Sequence, residues 1–324
     1  MALLVVASGC GGAASTAPPP ARGTDTSVLA QPPADPDDVR LELLNAGAEP
    51  RAPLRYDFRA VRAEKTVVDM KMDISGVPTD DRVGEAWVAQ PTTRVSSLVE
   101  PRQLTPEGDL VYRVVHERAD ILKDASVDSE VRAQMEAQVK PIVGLPSQAT
   151  VTPRGIAKRV DVLVPSGASP DHSPTIDALR SEMRQWLTPF PADAVGVGAK
   201  WQTTLTVQAK EFRLVEVTTY TLVSRQKSMA VIDFEFDERS PGPQKLTDRR
   251  PGSSMTLESH QGHGSGRVTI DFDRLVVHGE KQCERRGCVT LERNGEKFSM
   301  SKAFRLKYKF EPLASGATPG SASP

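Results

Sequence analysis

Few residue groupings in this chain are spaced for chemistry. Cysteines stand at positions 10, 283 and 288. A thiol can take lipid, metal or a second thiol, and an odd count asks that one of them do something other than pair internally. The run Gly262-His263-Gly264-Ser265-Gly266 sets a serine and a histidine among glycines. A nucleophile elbow needs glycines two positions either side of its serine, on a turn from strand to helix. Here Gly264 and Gly266 are the immediate neighbours of Ser265 and a strand-like segment follows. The run therefore reads as a loop or hairpin turn. His260 and His263 are three apart, which on a strand places them on opposite faces, away from a shared ion. Asp233, Glu235 and Asp237 share one strand face, as do Asp271 and Asp273. Calcium would need two such strands to converge, and solvated outer faces are the expectation. The sequence holds no P-loop, no dinucleotide glycine fingerprint and no zinc-spaced set. No catalytic residue, metal ligand or cofactor is assigned.

The N-terminus carries more. Residues 1–9 read MALLVVASG and Cys10 follows, an apolar run ending in small residues just before a thiol. With Ala7-Ser8-Gly9-Cys10 as the lipobox, this resembles a bacterial lipoprotein signal peptide. Ala7 stands where leucine is commoner, and no Lys or Arg precedes the apolar run. The resemblance implies removal of residues 1–9, a diacylglyceryl group on the Cys10 thiol, and a place on a membrane face outside the cytoplasm. Gly11 in place of an aspartate points to the outer membrane or cell surface. Residues 11–38 are mostly Ala, Pro, Gly, Ser and Thr with a few charges. Such a segment buries too little apolar surface to offset its ordering entropy, and reads as a tether. Lipid on Cys10 leaves Cys283 and Cys288 in QCERRGCV. Two hairpin strands closing on a turn there would bring their Cα atoms within disulfide range, and an exported compartment would keep the bond. Two thiolates without partner ligands do not make a zinc site.

The elements behind these residues are mostly strands. The stretch 173–207 organises the chain. Ser173 is an N-cap and Pro174 sits at the first helical position. Ile176, Leu179, Met183, Trp186 and Leu187 then fall on one helical stripe. Pro189 and Pro191 stop the helix, and Trp201, Thr203, Leu205 and Val207 alternate with polar residues as a strand does. A second amphipathic helix is expected at 127–139, capped by Ser126, with Val131 and Met135 on its apolar side. Alternation marks strands at 54–58, 67–74, 94–99, 110–117, 212–223, 229–237 and 298–310, and Asn294-Gly295 is a type I′ hairpin turn. The expected class is mainly β: an antiparallel curved sheet, sandwich or half-barrel carrying two amphipathic helices. The β-rich body runs over 39–312, its two parts meeting near 173–200, with a tail at 313–324. Basic and acidic residues number 41 and 42, so no basic field invites nucleic acid.

Two functional readings follow, with a third behind them. The first is a lipid-anchored envelope protein with a structural or interaction role, whose partner is an envelope protein and whose mark is a filled core. The second is a carrier of a hydrophobic ligand. A curved sheet under two amphipathic helices is similar in outline to the half-barrel lipoprotein carriers, and Val131, Met135, Leu179, Met183 and Trp186 would line its groove. The third is a hydrolase using His263 or Asp271.

Overall fold

The computed structural model describes residues 39–77, 87–122, 129–163, 173–209, 212–246 and 253–313. The expected signal segment and lipobox with Cys10, the expected tether, the Ser126 cap, the Ser173 side chain and the expected tail from 314 lie outside the described residues. The strands are β1 (Arg40–Asn45), β2 (Glu64–Val77), β3 (Trp87–Ala89), β4 (Thr93–Leu104), β5 (Leu110–Ile121), β6 (Pro146–Val151) and β7 (Ala157–Val162). After them come β8 (Lys200–Ala209), β9 (Phe212–Gln226), β10 (Met229–Arg239), β11 (Gln244–Leu246), β12 (Ser253–Asp271), β13 (His278–Arg293) and β14 (Glu296–Leu313). Helix α1 (Ser129–Val139) follows β5, and α2 (Ser173–Arg184) follows β7.

All pairings are antiparallel, and the strands form one open curved sheet in the order β1-β8-β9-β10-β12-β13-β14-β2-β4-β5-β6-β7. The expected mainly-β class is therefore what the chain adopts. Helix α2 packs on β6, β7 and β8, so it bridges the two ends of the strand order. That placement follows from its stripe. Leu179 and Met183 are buried beneath it, while Arg180 at the stripe's edge is exposed. The helix stops at Arg184, short of the expected stop at Pro189, so Trp186 and Leu187 leave it on a turn. Helix α1 lies against β5, with Val131 and Met135 half-buried.

Two irregular segments seal the α2 end. Leu54, Tyr56 and Phe58 point inward with strand alternation, yet they join no ladder. The Tyr56 amide donates to Pro153 O and the Asp57 amide to Phe272 O, both at 2.8 Å. Burial periodicity alone cannot tell a plug that buries alternate residues from a strand. After α2, Phe190 is fully buried, its amide donating to Arg154 O at 2.8 Å. Rings then run inward from this plug. Tyr56 meets Phe190 at 5.1 Å, Phe190 meets Trp201 at 6.5 Å, Trp201 stacks on Tyr220 at 5.5 Å, and Tyr220 meets Phe234 at 6.3 Å. Burial of large aromatic side chains dominates a core's energetics.

The hairpin turn at Asn294-Gly295 is found as expected. Both residues take positive φ, 53° and 81°, between the paired Arg293 and Glu296. Two other expectations fail in the same region. The glycine-rich run 262–266 is no loop but the middle of β12, paired with β10 and β13 on both sides. QCERRGCV is no turn either, since β13 runs unbroken through it. Cys283 and Cys288 are five residues apart on one extended strand, about 16 Å at ~3.3 Å per residue. That is far beyond disulfide reach, and both thiols are free. Odd spacing also puts them on opposite faces, Cys283 buried inward and Cys288 on the other side. Burial pushes the Cys283 thiol above its ordinary pKa.

Candidate ligand-binding trough

The concave face is best read as rungs across the sheet, because the register fixes which side chains sit side by side. One rung runs Trp201, Tyr220, Phe234, Gly266, Lys281, Tyr308, Met70. The next runs Thr203, Thr218, Phe236, Gly264, Cys283, Leu306, Met72. The third runs Leu205, Glu216, Glu238, Gly262, Arg285, Phe304, Ile74. The glycines form a bare track down the middle. A Cβ at Gly264 would lie 2.5 Å from the Phe236 ring and 2.6 Å from Cys283 Cβ, and one at Gly262 would lie 2.6 Å from Glu238 Oε1. Neighbouring side chains lean into the space a Cβ would take. The alternation Gly-X-Gly-X-Gly is thus a strand signal whose inward face is empty, with His263 exposed on the other side.

A cavity of about 180 Å³ lies between this face and the end of α2, partly open to solvent. Its floor is Tyr220, Phe234, Phe236, Tyr308 and Phe310, and its roof is the segment from Glu182 to Pro189. Gly155, Ile156 and Ala157 close one side, and Val276 and Val277 another. The roof is held in place by hydrogen bonds from ring nitrogens. Trp186 Nε1 donates to Leu275 O at 3.0 Å, and Trp201 Nε1 donates to Pro189 O at 2.8 Å. Glu64 fixes the Leu275 loop in turn, accepting from the amides of Leu275 and Val276 at 2.9 and 3.2 Å and from Arg274 Nε at 2.7 Å.

Of the five residues expected to line a groove, Trp186 lines this cavity. Leu179 and Met183 are spent on the core beneath α2, and Val131 and Met135 sit on α1 away from the cavity wall. His263 and Asp271 lie eight residues apart on β12, about 26 Å at ~3.3 Å per residue, so they do not meet. The acidic run Asp233, Glu235, Asp237 faces outward on β10, where Asp233 takes Arg267 in a two-bond pair at 2.5 and 2.7 Å. Asp271 and Asp273 share no strand face, because β12 ends at Asp271 and Asp273 lies on the turn after it, its amide donating to Asp271 Oδ1 at 3.2 Å. Among the described residues no three His, Cys, Asp or Glu side chains gather as a metal site.

Two polar groupings were invisible to the sequence, because each is assembled across strands. At the third rung and just beyond it, Glu238, His260 and Arg285 are all nearly buried. His260 Nε2 donates to Glu238 Oε1 at 2.8 Å, and an Arg285 terminal nitrogen donates to Oε2 at 3.0 Å. Burial alone would raise the Glu238 carboxyl, but Arg285 and His260 hold it down to about 2. Next to it Glu216 accepts from the Thr218 hydroxyl at 3.2 Å. Under α2, Ser97 Oγ and His116 Nδ1 are 2.8 Å apart, and His116 Nε2 is 3.9 Å from Glu182. Ser97 is 1% exposed and is not on the cavity wall. This chain ties α2 to β4 and β5 and presents no nucleophile to the cavity.

No family model matches the chain, and no curated protein matches it in sequence. Among solved structures, the crystal structure of Pseudomonas aeruginosa OpdQ matches over 78% of this chain and 98% of that one, at 7% identity and a TM-score of 0.19. A likeness that slight carries no argument about function.

Proposed function

We propose that this chain is a membrane-tethered carrier or receptor for a hydrophobic ligand, bound in the trough between the curved sheet and α2. The observation behind this reading is the cavity. A structural protein would be expected to fill its concave face. This one leaves about 180 Å³ walled by Phe234, Phe236, Tyr308, Phe310 and Trp186. An engineered apolar cavity of ~150 Å³ stays dry and binds benzene, so this space accepts a ring or a stretch of acyl chain. The aromatic walls sit on a rigid ladder and offer apolar area with little loss of rotamer freedom on binding. The tether rests on the sequence of residues 1–38 alone, with Cys10 as the lipid site.

Titration of the full-length protein with the neutral fluorophore N-phenylnaphthylamine tests the trough. Saturable enhancement is expected, and Trp186→Asp, which puts a charge on the apolar wall, should weaken it about tenfold or more. No saturable enhancement by the wild type removes the reading. Intact mass of membrane-extracted protein tests the anchor. A mass starting at Cys10 with diacylglyceryl and acyl groups supports it, whereas an unlipidated mass starting at Met1 removes it. That mass should not change on reduction, because the two strand thiols are not joined.

A further inference from the structure

Four charged residues stand on the wall of the cavity: Glu182, Arg184, Glu216 and Lys281. Three of them have partners within the protein. Glu182 faces His116, Glu216 takes the Thr218 hydroxyl, and Arg184 has a partner of its own. Lys281 differs. Its ammonium lies 4.1 Å from the centre of the Phe236 ring, and among the described residues it makes no hydrogen bond or ion pair. The register explains why. Lys281 is flanked on its rung by Gly266, which has no side chain, and by Tyr308. The carboxylate beside it on its own strand, Glu280, is directed to the opposite face, with Arg267 and Lys309 paired across from it. Glu238, two rungs away, is committed to Arg285 and His260.

An ammonium on an apolar wall is costly to desolvate without a counter-charge. A ring face offsets part of that cost, and an anion delivered by the ligand would offset the rest through a charge-assisted hydrogen bond. Building on the trough reading, we infer that the ligand is an anionic amphiphile whose carboxylate or phosphate head is taken by Lys281 Nζ, while its apolar chain lies along Phe234, Phe236, Tyr308 and Phe310. The trough would then read charge at one point and length nowhere, since its open side sets no stop.

The test compares cis-parinaric acid with its methyl ester on the full-length protein, by fluorescence titration. The acid should bind wild type about tenfold more tightly than the ester, the size of one charged hydrogen bond. Lys281→Met should bring the acid down to the ester's affinity and leave the ester unchanged. Lys281→Arg should keep the preference. Displacement by decanoate against decyl phosphate then tells which head group the lysine takes. Equal binding of acid and ester by wild type, or an acid preference that survives Lys281→Met, overturns the assignment and leaves the trough standing. Binding of neither probe overturns both.

Discussion

At the α2 end the concave face is closed by rings, and two rungs away it is closed by charge. Phe190, Trp201 and Tyr220 fill the first end, Phe190 edge-on to Trp201 and Trp201 stacked on Tyr220, with Trp201 fully buried and its one side-chain polar atom satisfied by Pro189 O. Glu238, Arg285 and His260, nearly buried, fill the second through charge-assisted hydrogen bonds. The ligand trough lies between them. The contrast shows what each material does. Loss from a ring cluster leaves a hole, while loss from an ion cluster leaves a buried charge without a partner.

The sharpest way to break this comparison is to remove one member at each end. Arg285→Met strands Glu238 with His260 alone and should cost roughly 3–5 kcal/mol in denaturant melts. Adding Glu238→Gln to it should return much of that loss, which no ring substitution would do. Trp201→Ala should cost about 3–5 kcal/mol through its cavity, with no second substitution at the polar end able to repair it.

Acid separates the two ends next. Glu238 is held well below its ordinary value of 4.5, so the stability it contributes is fully present above about pH 4.5 and is lost as pH falls toward 2. Melts across that window should show Glu238→Gln less sensitive to acid than wild type. Trp201→Ala should keep the wild-type slope. Identical slopes in all three would mean the cluster carries no such linkage.

The glycine track between the ends gives the smallest effect. Gly264→Val drives a branched side chain against the Phe236 ring and Gln282 O, and should cost about 1–3 kcal/mol by overpacking. It should also lower fluorophore affinity, because Phe236 is a wall of the cavity. Unchanged stability and affinity would show that the rings do not depend on the bare track.

Much of the fold was legible because period-two burial is a local property. The strands around Met70, Phe234 and Tyr308 announce themselves by alternation, and Asn294-Gly295 by backbone chemistry. The failures share one cause. In 262–266 the inward positions are glycines, so there was no apolar period to count, and the run looked like a loop. In QCERRGCV the inward positions are Cys283, Arg285 and Gly287, a polar interior pattern that imitates a turn. Arg285 is inward only because Glu238 and His260 wait there on other strands, and no local pattern carries that fact. The site was legible in type but not in detail. Leu179 and Met183 are apolar helix positions that core packing claimed first, Val131 and Met135 are half-buried on α1 away from the cavity, and Lys281 gave no sign until the register placed it beside Gly266.

The most direct measurement is quenching of tryptophan emission by a bromine-labelled long-chain ester, comparing wild type with Trp186→Phe and Trp87→Phe. Trp186 lines the cavity, whereas Trp87 lies under Arg305 on the outer face of the sheet. Binding in the trough requires saturable quenching that falls in Trp186→Phe and persists in Trp87→Phe. Quenching that is lost in Trp87→Phe instead, or that never saturates, would contradict a ligand site between the curved sheet and α2.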